Sequence, residues 1–140
     1  MKIVSNSVEE TERIAAELTK AFKGGEVIAL IGDLGAGKTQ FVRGLVGGLG
    51  GNTRSVSSPT YVLLNIYDSG RLTVYHMDAY RADEESIEAI GFLELLEQGG
   101  VVVVEWPQRL GKLMPENALT VSIIATGETS REIEIKLPLA

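Results

Sequence analysis

Apolar positions along the chain recur with two periods. Ile14, Leu18 and Phe22 stand four residues apart with Ala15 beside them, which predicts an amphipathic helix. Ser7-Val8-Glu9-Glu10 opens it as a capping box, with Ser7 at the N-cap and Glu10 reaching back, and Gly24-Gly25 closes it. Glu26 to Ile31 is a short apolar run bounded by glycines, the pattern of a buried strand. After a glycine-rich turn, Phe41, Val42, Leu45, Val46 and Leu49 form a second helical stripe, whose far end Gly44, Gly47 and Gly48 are expected to weaken.

Gly50 to Pro59 is polar and reads as a loop. Tyr61 to Tyr67 and Leu72 to Met77 are rich in β-formers and joined through Asp68-Ser69-Gly70-Arg71, which predicts a hairpin. Ile87, Ile90, Leu93 and Leu96 predict another helix, opened by the acidic run Asp83-Glu84-Glu85 that suits its dipole. Val101 to Val104 is a second continuous apolar strand. Leu119 to Ile124 and Ile133 to Leu137 alternate around Thr126-Gly127-Glu128-Thr129, a closing hairpin. Helices interleaved with both buried and alternating strands predict an α/β fold with a mixed parallel and antiparallel sheet, in one domain over residues 1–140.

Composition narrows the chemistry. The absence of cysteine excludes a disulfide scaffold, Cys-based metal sites and thiol catalysis, and it fits a reducing cytosol. The amino terminus lacks the apolar core of a secretory signal and no apolar run is long enough to span a bilayer, so a cytoplasmic protein without membrane attachment is expected. A net charge of −6 argues against a broad nucleic-acid footprint. Glycine is the one excess, at 16 residues, and it crowds the stretch from Gly24 to Gly51.

Within that stretch, Gly32-Asp33-Leu34-Gly35-Ala36-Gly37-Lys38-Thr39 matches the phosphate-binding loop G-x-x-x-x-G-K-S/T in its required setting, between a strand and a helix. Glycines let successive backbone N–H groups curl round a polyphosphate, and the following helix points its positive end at the same anion. Lys38 brings a point charge toward the phosphates, and Thr39 a hydroxyl for Mg²⁺. Neither side chain is expected to serve the core. Glu105, where Val101 to Val104 emerges, is the candidate for the other pole of the metal. Asp78 ends another strand; water positioning, a water-mediated hold on the metal and a plain turn residue all stay open for it. Thr60, in the first loop after the phosphate-loop helix, has a hydroxyl suited to sensing a γ-phosphate. Trp106 reads either as core filler or as a surface contact, with the pocket rim and a switch or partner role favoured by its place after Glu105, and His76 reads as a hydrogen-bonded structural histidine.

The phosphate loop together with Ser58-Pro59-Thr60-Tyr61, His76-Met77-Asp78-Ala79-Tyr80-Arg81 and Val104-Glu105-Trp106-Pro107, in that order, resembles the TsaE (YjeE) family. These are bacterial ATPases of tRNA threonylcarbamoyladenosine biosynthesis, and the likeness runs over nearly the whole chain. It implies a compact P-loop ATPase working with TsaB and TsaD, with tRNA met through that complex. It further implies ATP on Leu34, Gly35, Ala36, Gly37, Lys38 and Thr39, Mg²⁺ on Thr39 and Glu105, and a need for Asp78 in activity. Glu9 and Arg131 align with base-side nucleotide contacts. Gln108 departs from the pattern, standing where the family segment carries a glutamate, which leaves the role of that charge open. The alternative reading is a small P-loop kinase acting on a metabolite, although the chain offers scattered arginines and no insertion to serve as a lid. A GTPase would call for an N-K-x-D segment, which is absent, and a non-enzymatic scaffold would tolerate a dead loop.

Overall fold

A computed structural model describes residues 1–33, 35–59, 63–81 and 83–138. Its centre is a seven-stranded sheet in the order β1-β7-β6-β2-β5-β4-β3. The strands are β1 (Lys2–Ser5), β2 (Val27–Ile31), β3 (Leu64–Tyr67), β4 (Val74–Asp78), β5 (Val101–Glu105), β6 (Leu119–Ala125) and β7 (Arg131–Lys136). Strand β2 runs parallel to both β5 and β6, and β5 runs parallel to β4. The outer pairs β3/β4, β6/β7 and β1/β7 are antiparallel, so the sheet is mixed as the pattern predicts. The two continuous apolar runs, β2 and β5, lie side by side at its centre, where both faces are covered.

Helix α1 (Val8–Leu18) begins as the sequence dictates. Ser7 accepts from the Glu10 N–H at 3.0 Å, and the Glu10 carboxylate accepts from the Asn6 N–H at 2.6 Å. A short 3₁₀ turn, Thr19–Ala21, then carries the chain to Phe22, which is buried. Helix α2 (Lys38–Gly48) packs beside α1 on one face of the sheet, over Ile28, Leu30, Val101 and Val103. The opposite face holds Val102, Val104 and Met77 against Ile87, Phe92 and Leu110.

Two expectations are corrected, and one strand is added. The glycines of α2 do not weaken its end. A Cβ on Gly44 would lie 2.3 Å from the Glu12 carbonyl oxygen, and one on Gly48 2.7 Å from the Ala16 Cα, so these residues let α2 approach α1 closely. The helix predicted through Ile87 and Leu96 is two short ones, α3 (Glu84–Ala89) and α4 (Phe92–Leu95). Gly91, at φ 69°, breaks the stripe between them, which buries Phe92 and leaves Leu93 exposed. Strand β1 carries a single half-buried apolar residue, Ile3, too little pattern to announce a strand; it pairs with β7 all the same. Among the described residues, no helix is long and apolar enough to cross a membrane.

Gly44 yields a direct check. Alanine normally favours a helix interior by up to about 1 kcal/mol over glycine. Here overpacking against α1 should win, so Gly44→Ala should lower stability by about 1–3 kcal/mol in urea denaturation. An unchanged or raised midpoint would show that the α1/α2 contact is loose.

Candidate nucleotide site

The parallel strands deliver their carboxyl ends to one edge of the sheet, the usual place for a ligand in an open α/β fold. Leu30 lies in register with Glu105, and Asp78 in register with Glu105 on the other side. The loop after β2 and the two carboxylates at the ends of β4 and β5 are thereby neighbours. In that loop Gly35 and Gly37 take φ of 81° and 110°, which side chains seldom adopt. Gly32 lies close to its neighbours instead, since a Cβ there would stand 3.0 Å from the Ile123 carbonyl oxygen and 3.2 Å from the Ala36 Cβ. Gly37 is the N-cap of α2 and no side chain caps the helix, so the first-turn N–H groups stay available to an anion.

A cavity of about 930 Å³ opens over this edge. Among its walls are Glu9, Gly35, Gly37, Lys38, Thr39, Asp78, Glu105, Trp106 and Arg131, nearly every site residue expected from the sequence. Ala36 is buried under the loop and borders a smaller cavity of about 420 Å³ on its other side, together with Gln108. Leu34 and Thr60 lie outside the described residues; Ser58, close to Thr60 in sequence, lines the larger cavity.

Lys38 is buried on the cavity wall, outside both apolar clusters, and its Nζ lies 3.3 Å from Glu105 Oε1. Glu105 Oε2 lies 2.5 Å from His76 Nε2. Burial pushes the Glu105 carboxyl up. The hydrogen bond and charge of His76 and the charge of Lys38 outweigh that and hold it below the usual carboxylate range. Asp78 is also buried, and its Oδ1 accepts from the Tyr80 N–H at 2.9 Å.

The chain leaves β5 by a sharp turn. Trp106 adopts φ 57° and ψ 52°, a left-handed conformation costly for a side chain of its size, and Pro107 starts a 3₁₀ turn. That turn sets the half-buried indole at the cavity wall, 4.8 Å between centroids from Tyr80 and 5.1 Å from Lys38 Nζ. Arg109 approaches the other ring of the pair, 5.8 Å from the Tyr80 centroid. Trp106 thus lines the cavity while also packing against the apolar cluster around Val104 and Leu110.

Arg131 does more than face the cavity. Its Nε donates to the Ala36 carbonyl at 2.7 Å and its Nη1 to the Gly127 carbonyl at 3.0 Å, so it braces the phosphate loop against the last hairpin. The brace and the direct contact of His76 with Glu105 are the features that sequence reasoning missed. The spacing of His76 two residues before Asp78 on an alternating strand signals a shared face, but the contact with Glu105 follows from the register of β4 on β5.

Comparisons with known proteins identify the family. The family model described as "Threonylcarbamoyl adenosine biosynthesis protein TsaE" matches residues 5–133. The Bacillus subtilis tRNA threonylcarbamoyladenosine biosynthesis protein TsaE is 46% identical over 126 residues, covering 89% of this chain and 78% of that protein. Its Treponema pallidum counterpart of the same name is 41% identical over 136 residues, covering 96% and 99%. A crystal structure of Bacillus subtilis YdiB superposes with a TM-score of 0.80 at 34% identity, covering 98% of this chain and 84% of that one. With the family model spanning all but the ends, and with relatives this similar along most of their length, the chain belongs to the TsaE family.

Proposed function

We propose that this protein is a Mg²⁺-dependent ATPase of tRNA threonylcarbamoyladenosine modification, a nucleotide switch whose output is its grip on TsaB and TsaD type proteins. The observation that carries this reading is the buried Lys38–Glu105 pair at the foot of a glycine loop, on the wall of a cavity large enough for a nucleotide. A carboxylate on the loop lysine keeps that cation in place and ready for exchange onto phosphate.

The residues suit the ligands. Gly35 and Gly37 leave room for backbone approach, and the uncapped start of α2 favours an anion. Thr39 and Glu105 would hold Mg²⁺, which supplies charge neutralisation on the phosphate oxygens when bound. Among the described residues no three His, Asp or Glu side chains form a ready-made cage. Asp78, beside Glu105 in register, orients the attacking water or an outer water of the metal. Glu9, at the start of α1, and Arg131 also line the cavity and are the proposed base-side contacts. With a net charge of −6, tRNA is met through the partner complex and not by this surface alone.

Phosphate release from Mg-ATP tests the proposal. Thr39→Ala should abolish turnover and leave the circular dichroism unchanged. Lys38→Ala should abolish turnover and also lower the melting temperature, because it strips a buried carboxylate of its cation. Near-normal hydrolysis in either variant would overturn the assignment, and rapid phosphorylation of one metabolite in a panel would favour the kinase reading.

Glu105→Gln should weaken Mg²⁺-dependent turnover far more than Mg²⁺-free nucleotide binding. The same variant has a signature in acid. A carboxyl held low in the folded state stabilises the fold above its ordinary pKa of about 4.3, and the contribution fades as pH falls through the lowered value. Urea midpoints of parent and variant should therefore differ most near neutrality and converge in acid. A gap constant with pH would mean that Glu105 carries no such linkage.

Trp106 is the sole tryptophan, so its emission has one source. Emission should change when Mg-ATP is added, and Trp106→Ala should cost less than the roughly 3–5 kcal/mol of a core aromatic. Emission indifferent to nucleotide, with a core-sized loss of stability, would remove it from the rim.

A further inference from the structure

His76 is fully buried in strand β4, and the ATPase reading leaves it without a task. Its ring stands between two anchored groups. Nε2 lies 2.5 Å from Glu105 Oε2. An ionised carboxylate only accepts, so the Nε2 hydrogen donates to Glu105. On the other side Nδ1 lies 3.5 Å from Tyr67 Oη, and the two rings pack at 6.1 Å between centroids. Tyr67 is itself fixed twice to one residue: its hydroxyl donates to the Ser57 carbonyl at 2.9 Å and accepts from the Ser57 N–H at 3.1 Å.

Glu105 thus has a different partner on each oxygen, and the two differ in permanence. Lys38, on Oε1, sits in the phosphate loop, and in the reading above its charge belongs to a phosphate when one is bound. His76, on Oε2, lies in a sheet strand with its ring fully buried and Tyr67 packed behind it. A group that holds one oxygen of a metal-binding carboxylate fixes the direction of the other. Such supports commonly change metal affinity by 10–100-fold when removed.

We infer that His76 is a positioning residue that aims the Glu105 carboxylate at Mg²⁺, with Tyr67 as the backing that keeps its ring in place. The inference rests on Glu105 being a metal ligand, as proposed above. It assigns to the histidine of the His76-Met77-Asp78 segment a part in the metal site distinct from that of Asp78. The role is one of hydrogen-bond donation and shape.

Calorimetric titration of a non-hydrolysable ATP analogue, with Mg²⁺ and with EDTA, separates the metal-dependent part of binding from the rest. In the parent, Mg²⁺ should tighten binding. His76→Leu should keep Mg²⁺-free binding within about twofold while the concentration of Mg²⁺ giving half the tightening rises about 10–100-fold. His76→Gln, which can place an N–H near the position of Nε2, should recover most of that loss. Tyr67→Phe keeps the ring and removes only the hydroxyl, so it should shift the Mg²⁺ requirement the same way by a smaller factor. It also serves if His76→Leu does not fold. Unchanged Mg²⁺ dependence in His76→Leu, or a glutamine variant no better than leucine, would overturn the positioning role. So would Tyr67→Phe and His76→Gln both matching the parent if the leucine variant is unfolded. A parent that binds the analogue with no response to Mg²⁺ would instead overturn the metal-ligand reading of Glu105, and the inference with it.

Discussion

Lys38 and Glu105 come from different elements, a helix start and a strand end, yet their charges meet 3.3 Å apart in a buried site. Opposite charges removed from water are costly unless each is fully compensated. Much of the local architecture meets that condition. The parallel pairing of β2 with β5 puts the phosphate loop beside the end of β5, and the parallel pairing of β5 with β4 brings His76 to the second carboxylate oxygen. Above the pair, Trp106 presents its ring to the lysine at 5.1 Å, a contact favourable to a cation.

The cost is borne by the rest of the fold. Strands β2 and β5 supply a nearly continuous apolar centre, and α1 and α2 close over one face with glycine-mediated contact. On such a platform the loop can keep glycines at positive φ and Trp106 can keep a left-handed conformation. Arg131 spans from the last hairpin to the loop carbonyl of Ala36, so the antiparallel half of the sheet also supports the loop. The site is built by contributions from sequence segments nearly a hundred residues apart.

Those separations decide what could be read from the chain alone. The two apolar strands at the sheet centre and the capped start of α1 are local signals, and they appear in the structure where residue order puts them. Glu105 and Asp78 were legible as strand-end carboxylates because a buried strand that stops at a charge must open to something polar. The pairing of His76 with Glu105 was not, because it depends on register between β4 and β5, which periodicity does not specify. Strand β1 escaped because its apolar residues Ile3 and Val4 are adjacent and make no alternation, and the break at Gly91 because a glycine inside an apolar stripe does not by itself end a helix. The role of Gly44 and Gly48 in helix contact was likewise invisible, since a glycine signals weakness until its neighbour is known.

A switch is defined by what it holds in each state. Immobilised protein incubated with TsaB and TsaD type proteins under Mg-ATP, under Mg-ADP and without nucleotide tests that definition most directly. If nucleotide in the Lys38–Glu105 site sets the partner surface, the retained amount of partner should differ clearly between Mg-ATP and Mg-ADP. That difference should vanish in Thr39→Ala. Equal retention in all three conditions would contradict a nucleotide switch.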